Sequence, residues 1–192
     1  MLISNLEGEK EKMYLPKEMF FTTGIGHHKD KLTSFELALR DAGIARFNIV
    51  RVSSIFPPHC KIISKEEGLA KLKDGQILFT VLADISTNEF ERLIAASIGA
   101  AIPMDNSLHG YLSEYHDFGK TQEEAGDYAE DIAAYMLATI LEGSKDEIDW
   151  DATKDIWKMN DKIVKTQNIA VAIKGKQNGH WTTVLAGAIL IG

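Results

Sequence analysis

Two adjacent serines wedged between a strand and a pair of prolines set the tightest local constraint in this sequence. The stretch reads Phe47-Asn48-Ile49-Val50-Arg51-Val52-Ser53-Ser54-Ile55-Phe56-Pro57-Pro58-His59-Cys60. Val50 and Val52 are β-branched, and apolar Phe47, Ile49 and Val52 surround polar Asn48 and Arg51, which predicts a strand over 47–52. Each proline fixes its own φ, and Pro57 also drives Phe56 out of the α region. Ser53 and Ser54 are thereby held between two stiff segments, a setting that can hold one peptide bond in an awkward geometry.

A peptide bond held that way has a reaction open to it. The Ser54 hydroxyl can attack the carbonyl of Ser53 and turn the amide into an ester. β-Elimination of the ester and loss of ammonia would then leave a pyruvoyl ketone derived from Ser54. Such a ketone takes a substrate amine as a Schiff base and drains electrons from the α-carbon as carbon dioxide leaves, the work pyridoxal phosphate does elsewhere. On these residues alone, a strand end followed by a polar loop is the weightier alternative.

The rest of the chain reads as one α/β (α+β) domain over residues 1–192. Residues 1–17 form a loose N-terminal arm, and Met19–Thr23 a first strand. Gly24-Ile25-Gly26 lacks the third glycine of a dinucleotide-binding turn, and His27-His28 reads as a solvated loop. Thr33–Ala42 is a helix, with Thr33-x-x-Glu36 as a capping box and Gly43 just past its end. A short helix over 65–72 and strands over 76–84 and 109–115 follow, while 90–102 has helix-compatible spacing but also β-branched isoleucines and a stop at Pro103 that suit a strand. Thr121–Leu141 is the longest helix, opened by the capping box Thr121-x-x-Glu124 and stopped by Gly143. Its stripe Tyr128, Ile132, Tyr135, Met136 and Ile140 reads as the core face. Residues 143–155 are acidic and polar, an excursion from the core. Strands over 162–174 and 180–191 are joined through Asn178-Gly179, a hairpin turn signal.

Several blocks carry a family likeness. They are Ser34-Phe35-Glu36-Leu37-Ala38-Leu39-Arg40-Asp41-Ala42-Gly43-Ile44, Phe47-Asn48-Ile49-Val50, and Val52-Ser53-Ser54-Ile55-Phe56-Pro57-Pro58. Ala96-Ser97-Ile98-Gly99-Ala100-Ala101-Ile102-Pro103 and Gly110-Tyr111-Leu112-Ser113-Glu114-Tyr115-His116 complete the set. In order and spacing they closely resemble the pyruvoyl-dependent arginine decarboxylases, over most of the chain from about Met19 onward.

The resemblance implies a four-layer αββα sandwich with mostly antiparallel sheets, and makes 90–102 a strand. It also implies a homotrimer, or a dimer of trimers, with active sites between subunits. It makes Ser54 the pyruvoyl precursor and Ser53 the carboxyl end of a cleaved chain 1–53, the other chain being 54–192. Ser53 then borders the substrate. Asn48 matches the position that helps hold the site, and Glu114 the acid that reprotonates the α-carbon after decarboxylation. Glu36 stands where the family often has aspartate, a partner for the guanidinium of arginine; its reading from the residues alone is the closing position of a helix cap. His116, near Glu114, reads as a surface residue. The function implied is conversion of L-arginine to agmatine and carbon dioxide on a covalent pyruvoyl group, without metal or pyridoxal phosphate. Two alternatives stand beside it: a pyruvoyl decarboxylase of another amino acid, and an uncleaved oligomeric binding protein of the same fold.

Composition bears on partners. A formal charge of −7 and the absence of a Lys/Arg run argue against nucleic acid. No His/Cys/Asp/Glu group has metal-ligand spacing. Cys60 is the only cysteine, so no disulfide forms within one chain, and it reads as a buried or inert thiol. No apolar run reaches membrane-spanning length, and charged Glu7–Lys12 stands where a signal peptide would be apolar, so a cytoplasmic location is expected.

Overall fold

The strand that precedes the two serines and the strand that follows them lie in different sheets. The computed structural model describes residues 14–141, 148–151, 156–159 and 162–192. Their elements run β1 (Glu18–His28), α1 (Lys31–Asp41), β2 (Asn48–Arg51), β3 (Ile55–Phe56), β4 (Lys61–Ile62), α2 (Lys65–Ala70) and β5 (Ile77–Thr87). Then come β6 (Leu93–Ile102), β7 (Gly110–Phe118), α3 (Gln122–Ile140), β8 (Ile148–Asp151), β9 (Ile156–Met159), β10 (Lys162–Lys174) and β11 (Trp181–Ile191). One sheet has the order β2-β5-β11-β1-β4, the other β3-β7-β6-β10-β9-β8. Pairing is antiparallel except for β1 with β4 and β2 with β5.

The sheets pack face to face through a core that includes Val81, Val184 and Ala186 from the first and Ile98, Leu112 and Val171 from the second. Helix α1 covers the outer face of the first sheet through β1 and β11, and α3 covers the second through β6, β7 and β10. The result is the αββα sandwich, sheet-dominated and mostly antiparallel.

Close packing of α1 explains the Gly24-Ile25-Gly26 stretch. These residues lie inside β1, paired with Leu185, Val184 and Thr183 of β11. A Cβ on Gly26 would stand 1.9 Å from the Ser34 carbonyl oxygen, so the helix can sit this low only over glycine. His27 and His28 are not a loop. They end β1 opposite Thr182 and Trp181, and His27 Nδ1 lies 3.0 Å from Thr182 Oγ1.

The start of α1 also differs from expectation. Its N-cap is Asp30, whose carboxylate accepts from the Thr33 amide at 2.9 Å, so no box forms between Thr33 and Glu36. Glu36 instead pairs with Arg40 one turn on, 3.0 Å from Oε1 to Nε. The sequence Asp30-Lys31-Leu32-Thr33 offers an equally good cap one turn earlier, and the earlier cap satisfies more of the chain. The capping box of α3, by contrast, forms between Thr121 and Glu124 in both directions.

Helix α3 turns the opposite way from its large apolar residues. Its buried face is Ala125, Gly126, Ala129, Ala133, Ala134, Leu137 and Ala138, with Glu130 buried beside them and bonded by Asn168, while Tyr128, Tyr135 and Ile140 are exposed. Small residues win the sheet side because they let the helix axis approach, and close packing there outweighs the area of the larger side chains. Asn178 and Gly179 both have positive φ, as a tight reversal requires, yet the strands they join do not pair: β10 belongs to the second sheet and β11 to the first. β11 is instead taken between β1 and β5, where Thr182–Ile191 is buried.

Part of the 143–155 excursion is strand: β8 pairs with β9 at the edge of the second sheet. Gly143 and residues 1–13 of the arm lie outside the described residues. At the arm's described end, Tyr14 packs its ring on Phe79 with centroids 5.1 Å apart. Among the described residues no helix is long and apolar enough to cross a membrane.

Candidate active site

Only Val52, Ser53 and Ser54 separate β2 from β3, and both strands are sheet edges. Stacked sheets lie about 10 Å apart, and the four Cα steps from Arg51 to Ile55 reach at most about 14 Å. The crossing therefore has little slack. Backbone bonds fix it at each end. The Val52 amide donates to Thr80 of the first sheet at 3.0 Å, and the Leu112 amide of β7 donates to the Ser54 carbonyl at 2.8 Å. Beyond it, Ile55 and Phe56 pair with Tyr111 and Gly110.

The peptide between the two serines has a turn of its own. The Ile55 amide donates to the Ser53 carbonyl at 3.0 Å, an i to i+2 bond that folds the chain tightly around Ser54. It places a hydrogen-bond donor on the oxygen that would carry charge if the Ser53 carbonyl were attacked. The Ser54 hydroxyl donates to Glu114 Oε2 at 3.1 Å. Glu114 reaches it because strand alternation puts Leu112 and Glu114 on the same face of β7. Leu112 is buried in the inter-sheet core, and Glu114, two residues on, is exposed at its margin.

Ser53, Ser54 and Glu114 are thus brought together within one chain; two other expected residues stand apart. Asn48 is exposed at the far end of β2 and donates to the Gly75 carbonyl at 2.8 Å. Roughly 13 Å of extended strand lies between it and Val52. Glu36 is on α1, engaged with Arg40. His116 is exposed on the same strand as Glu114. Cys60 is half-buried, and burial pushes its thiol up to about 11, so it is a poor nucleophile at neutral pH.

A cleft of about 470 Å³ flanks the crossing, lined by Val52, Ser53, Ile55, Pro57, Pro58 and Phe79 among others. Here the prolines form a wall as well as a stiff chain exit. A second cleft of about 500 Å³ lies on the α1 side, lined by residues including Asp30, Phe35, Arg51, Asp84 and Ser86. Arg51 and Asp84, which form an ion pair there, were not singled out from the sequence. The available signal was an arginine two residues before the serine pair. Among the described residues no group of three or more His, Cys, Asp or Glu could hold a metal ion.

The family model for pyruvoyl-dependent arginine decarboxylase matches residues 18–192, the whole of the sandwich. The chain belongs to that family. A protein of Chloroherpeton thalassium named as a probable pyruvoyl-dependent arginine decarboxylase is 55% identical over 93% of this chain and 98% of its own length. The pyruvoyl-dependent arginine decarboxylase of Nitrosopumilus maritimus is 54% identical over 91% and 96%. That of Thermoplasma volcanium is 52% identical over 93% and 97%. Members of the pyruvoyl-dependent arginine decarboxylase family carry a covalent pyruvoyl group as cofactor, and the residues at the crossing suit its formation. The serine hydroxyl, a carboxylate to receive its proton, and a donor on the neighbouring carbonyl oxygen are all in place.

Proposed function

We propose that this chain cleaves itself between Ser53 and Ser54 and then decarboxylates L-arginine to agmatine and carbon dioxide. The observation that carries the proposal is the Ser54 hydroxyl on Glu114, at a peptide whose carbonyl is already bonded by the Ile55 amide. Glu114 takes the hydroxyl proton as Oγ adds to the Ser53 carbonyl carbon. The C–N bond breaks with its electron pair going to the Ser54 nitrogen, which gains a proton, and an ester joins the two residues. Loss of the Ser54 α-proton then breaks the Cβ–O bond, and Ser53 departs as a free carboxylate. The enamine left behind becomes an imine, water adds, ammonia leaves, and a ketone remains at the start of chain 54–192. That pyruvoyl group, once formed, supplies the electron sink for loss of the substrate carboxylate.

Glu114 serves twice in this scheme, since the carboxyl that received a proton in cleavage is placed to return one to the substrate α-carbon. Ser53, as the new carboxyl end of chain 1–53, borders the substrate. Asn48 is bonded to the Gly75 carbonyl and Glu36 to Arg40, neither makes a hydrogen bond to Ser53, Ser54 or Glu114 of its own protomer, and both side chains reach the surface. We therefore place them, as a support for the site and as a guanidinium partner, at the boundary between protomers of a homotrimer. A half-buried free thiol at Cys60 fits a reducing, cytoplasmic setting.

Purified chain should resolve into two polypeptides on a denaturing gel, with the larger blocked at its amino terminus, and should release carbon dioxide from arginine. Ser54→Ala should remain one chain. A single full-length band from the unmodified protein after prolonged incubation would count against the whole scheme. Elution at the mass of one protomer would count against the trimer.

A further inference from the structure

The crossing begins where a regular ladder stops one bond short. β2 pairs with β5 in parallel, and the amide bonds advance two residues at a time: Asn48 donates to Gln76 and Val52 to Thr80. The next step of that ladder would join the Ser54 amide to the Leu82 carbonyl. It is not made, and the Ser54 amide meets no protein acceptor among the described residues. The Leu82 carbonyl is not left bare either. Arg51 Nη1 donates to it at 3.3 Å, while Nη2 binds the Asp84 carboxylate further along β5.

We propose that Arg51 is a positioning residue for self-cleavage: its guanidinium takes the Leu82 carbonyl and so keeps the Ser54 amide out of the first sheet. The role rests on the self-cleavage reading above. The Ser54 nitrogen is the leaving atom of the acyl shift. It must turn from planar to pyramidal and take up a proton as its bond to the Ser53 carbonyl carbon breaks. A ladder bond from its N–H would hold it planar and would be lost in the transition state. Continued pairing would also carry Ser54 along β5, away from Glu114 and from the Ile55–Tyr111 pair that opens the second sheet. Buried Leu82 needs a donor, because an orphaned backbone carbonyl is costly, and Arg51 supplies one without using the backbone. Asp84 anchors the far side of the guanidinium, so the fork spans both acceptors.

The test follows the precursor as purified. Arg51→Met, which keeps the length and loses the donors, should convert to two chains roughly 10–10²-fold more slowly than wild type, the usual worth of one charge-assisted hydrogen bond. Arg51→Lys, with one donor group able to reach Leu82, should recover part of that rate. Asp84→Ala removes the anchor of the guanidinium and should slow conversion roughly 3–10-fold, which provides a second variant should Arg51→Met fail to fold. Hydrogen exchange at the amide of position 54, measured in the Ser54→Ala background that stays in one chain, gives a readout that general destabilisation would move the other way. Adding Arg51→Met should slow that exchange by about tenfold or more, because the amide joins the ladder. Equal cleavage rates in wild type and Arg51→Met, or unchanged exchange at position 54, overturn the role of Arg51 alone. A wild-type chain that never cleaves overturns the self-cleavage reading, and this role falls with it.

Discussion

Ser54 and Glu114 are 60 residues apart in sequence and meet through one 3.1 Å hydrogen bond, because β2 leaves the first sheet at the point where β7 brings its carboxylate past the margin of the second. Replacing Glu114 with glutamine keeps an acceptor for the hydroxyl and removes the place for its proton. Cleavage should slow, and decarboxylation by the cleaved fraction should fall by roughly 10²–10⁴-fold. Band intensities over time and carbon dioxide release per cleaved chain measure the two separately. Wild-type values for both would remove Glu114 from the chemistry.

Glu36 lies outside the local site, so its role is tested by substrate discrimination. A guanidinium binding Glu36 would displace Arg40, which now holds it at an exposed position. Glu36→Gln should cost arginine recognition roughly 2–5 kcal/mol, as loss of one partner of a desolvated charge pair does. Neutral citrulline should be affected far less. Equal losses for the two compounds would mean that the guanidinium is held elsewhere.

The same helix separates cap from partner. Asp30→Ala should lower Tm by roughly 2–4 °C, whereas Glu36→Gln should shift it by less than about 1–2 °C. Hydrogen bonds from the Thr33 amide and hydroxyl hold the Asp30 carboxyl below its ordinary value of 3.8. A depressed carboxylate stabilises above its unfolded pKa and loses that contribution as pH falls through the folded one. The Tm gap between wild type and Asp30→Ala should therefore be full at neutral pH and close in strong acid. A gap that persists unchanged to the lowest pH at which both remain folded would contradict the cap.

Helix α3 gives a packing test. Ala133 is fully buried against the sheet, and Ile140 is 40% exposed. Ala133→Leu should destabilise by about 1–3 kcal/mol through overpacking, with Ile140→Ala close to neutral in the isolated protomer. Urea denaturation midpoints decide it, and the reverse order would restore the large-residue stripe as the core face.

What could be read from the sequence was local. The serine pair between strand and prolines, the Thr121 cap and the long β10 and β11 strands follow from neighbouring residues whose preferences agree. The misreadings arose where a local signal was satisfied in more than one way. Asn178-Gly179 reverses the chain, but nothing near it says that β11 will pair with β1 and β5 instead of β10. Asp30 and Thr33 are both competent caps, and the choice depends on where α1 can sit over Gly24 and Gly26. Hydrophobicity favours the large-residue stripe on α3, whereas the sheet beneath selects for small volume. The Arg51–Leu82–Asp84 arrangement depends on a parallel register between strands about thirty residues apart, and a period-two pattern does not reveal register.

The strand order has a consequence for the chain once it is cut. Chain 1–53 would contribute β1, α1 and β2, and β1 lies between β11 and β4 while β2 lies on β5, all three partners belonging to chain 54–192. Neither piece is a separable body, since the first sheet interleaves strands of both. An uncut protomer folds as a single molecule, at a rate indifferent to dilution. A cut one has to find its other half again, so its refolding becomes second-order and its apparent stability depends on concentration. Maturation would thus be a one-way passage: the chain folds once, while intact, and afterwards relies on never letting go.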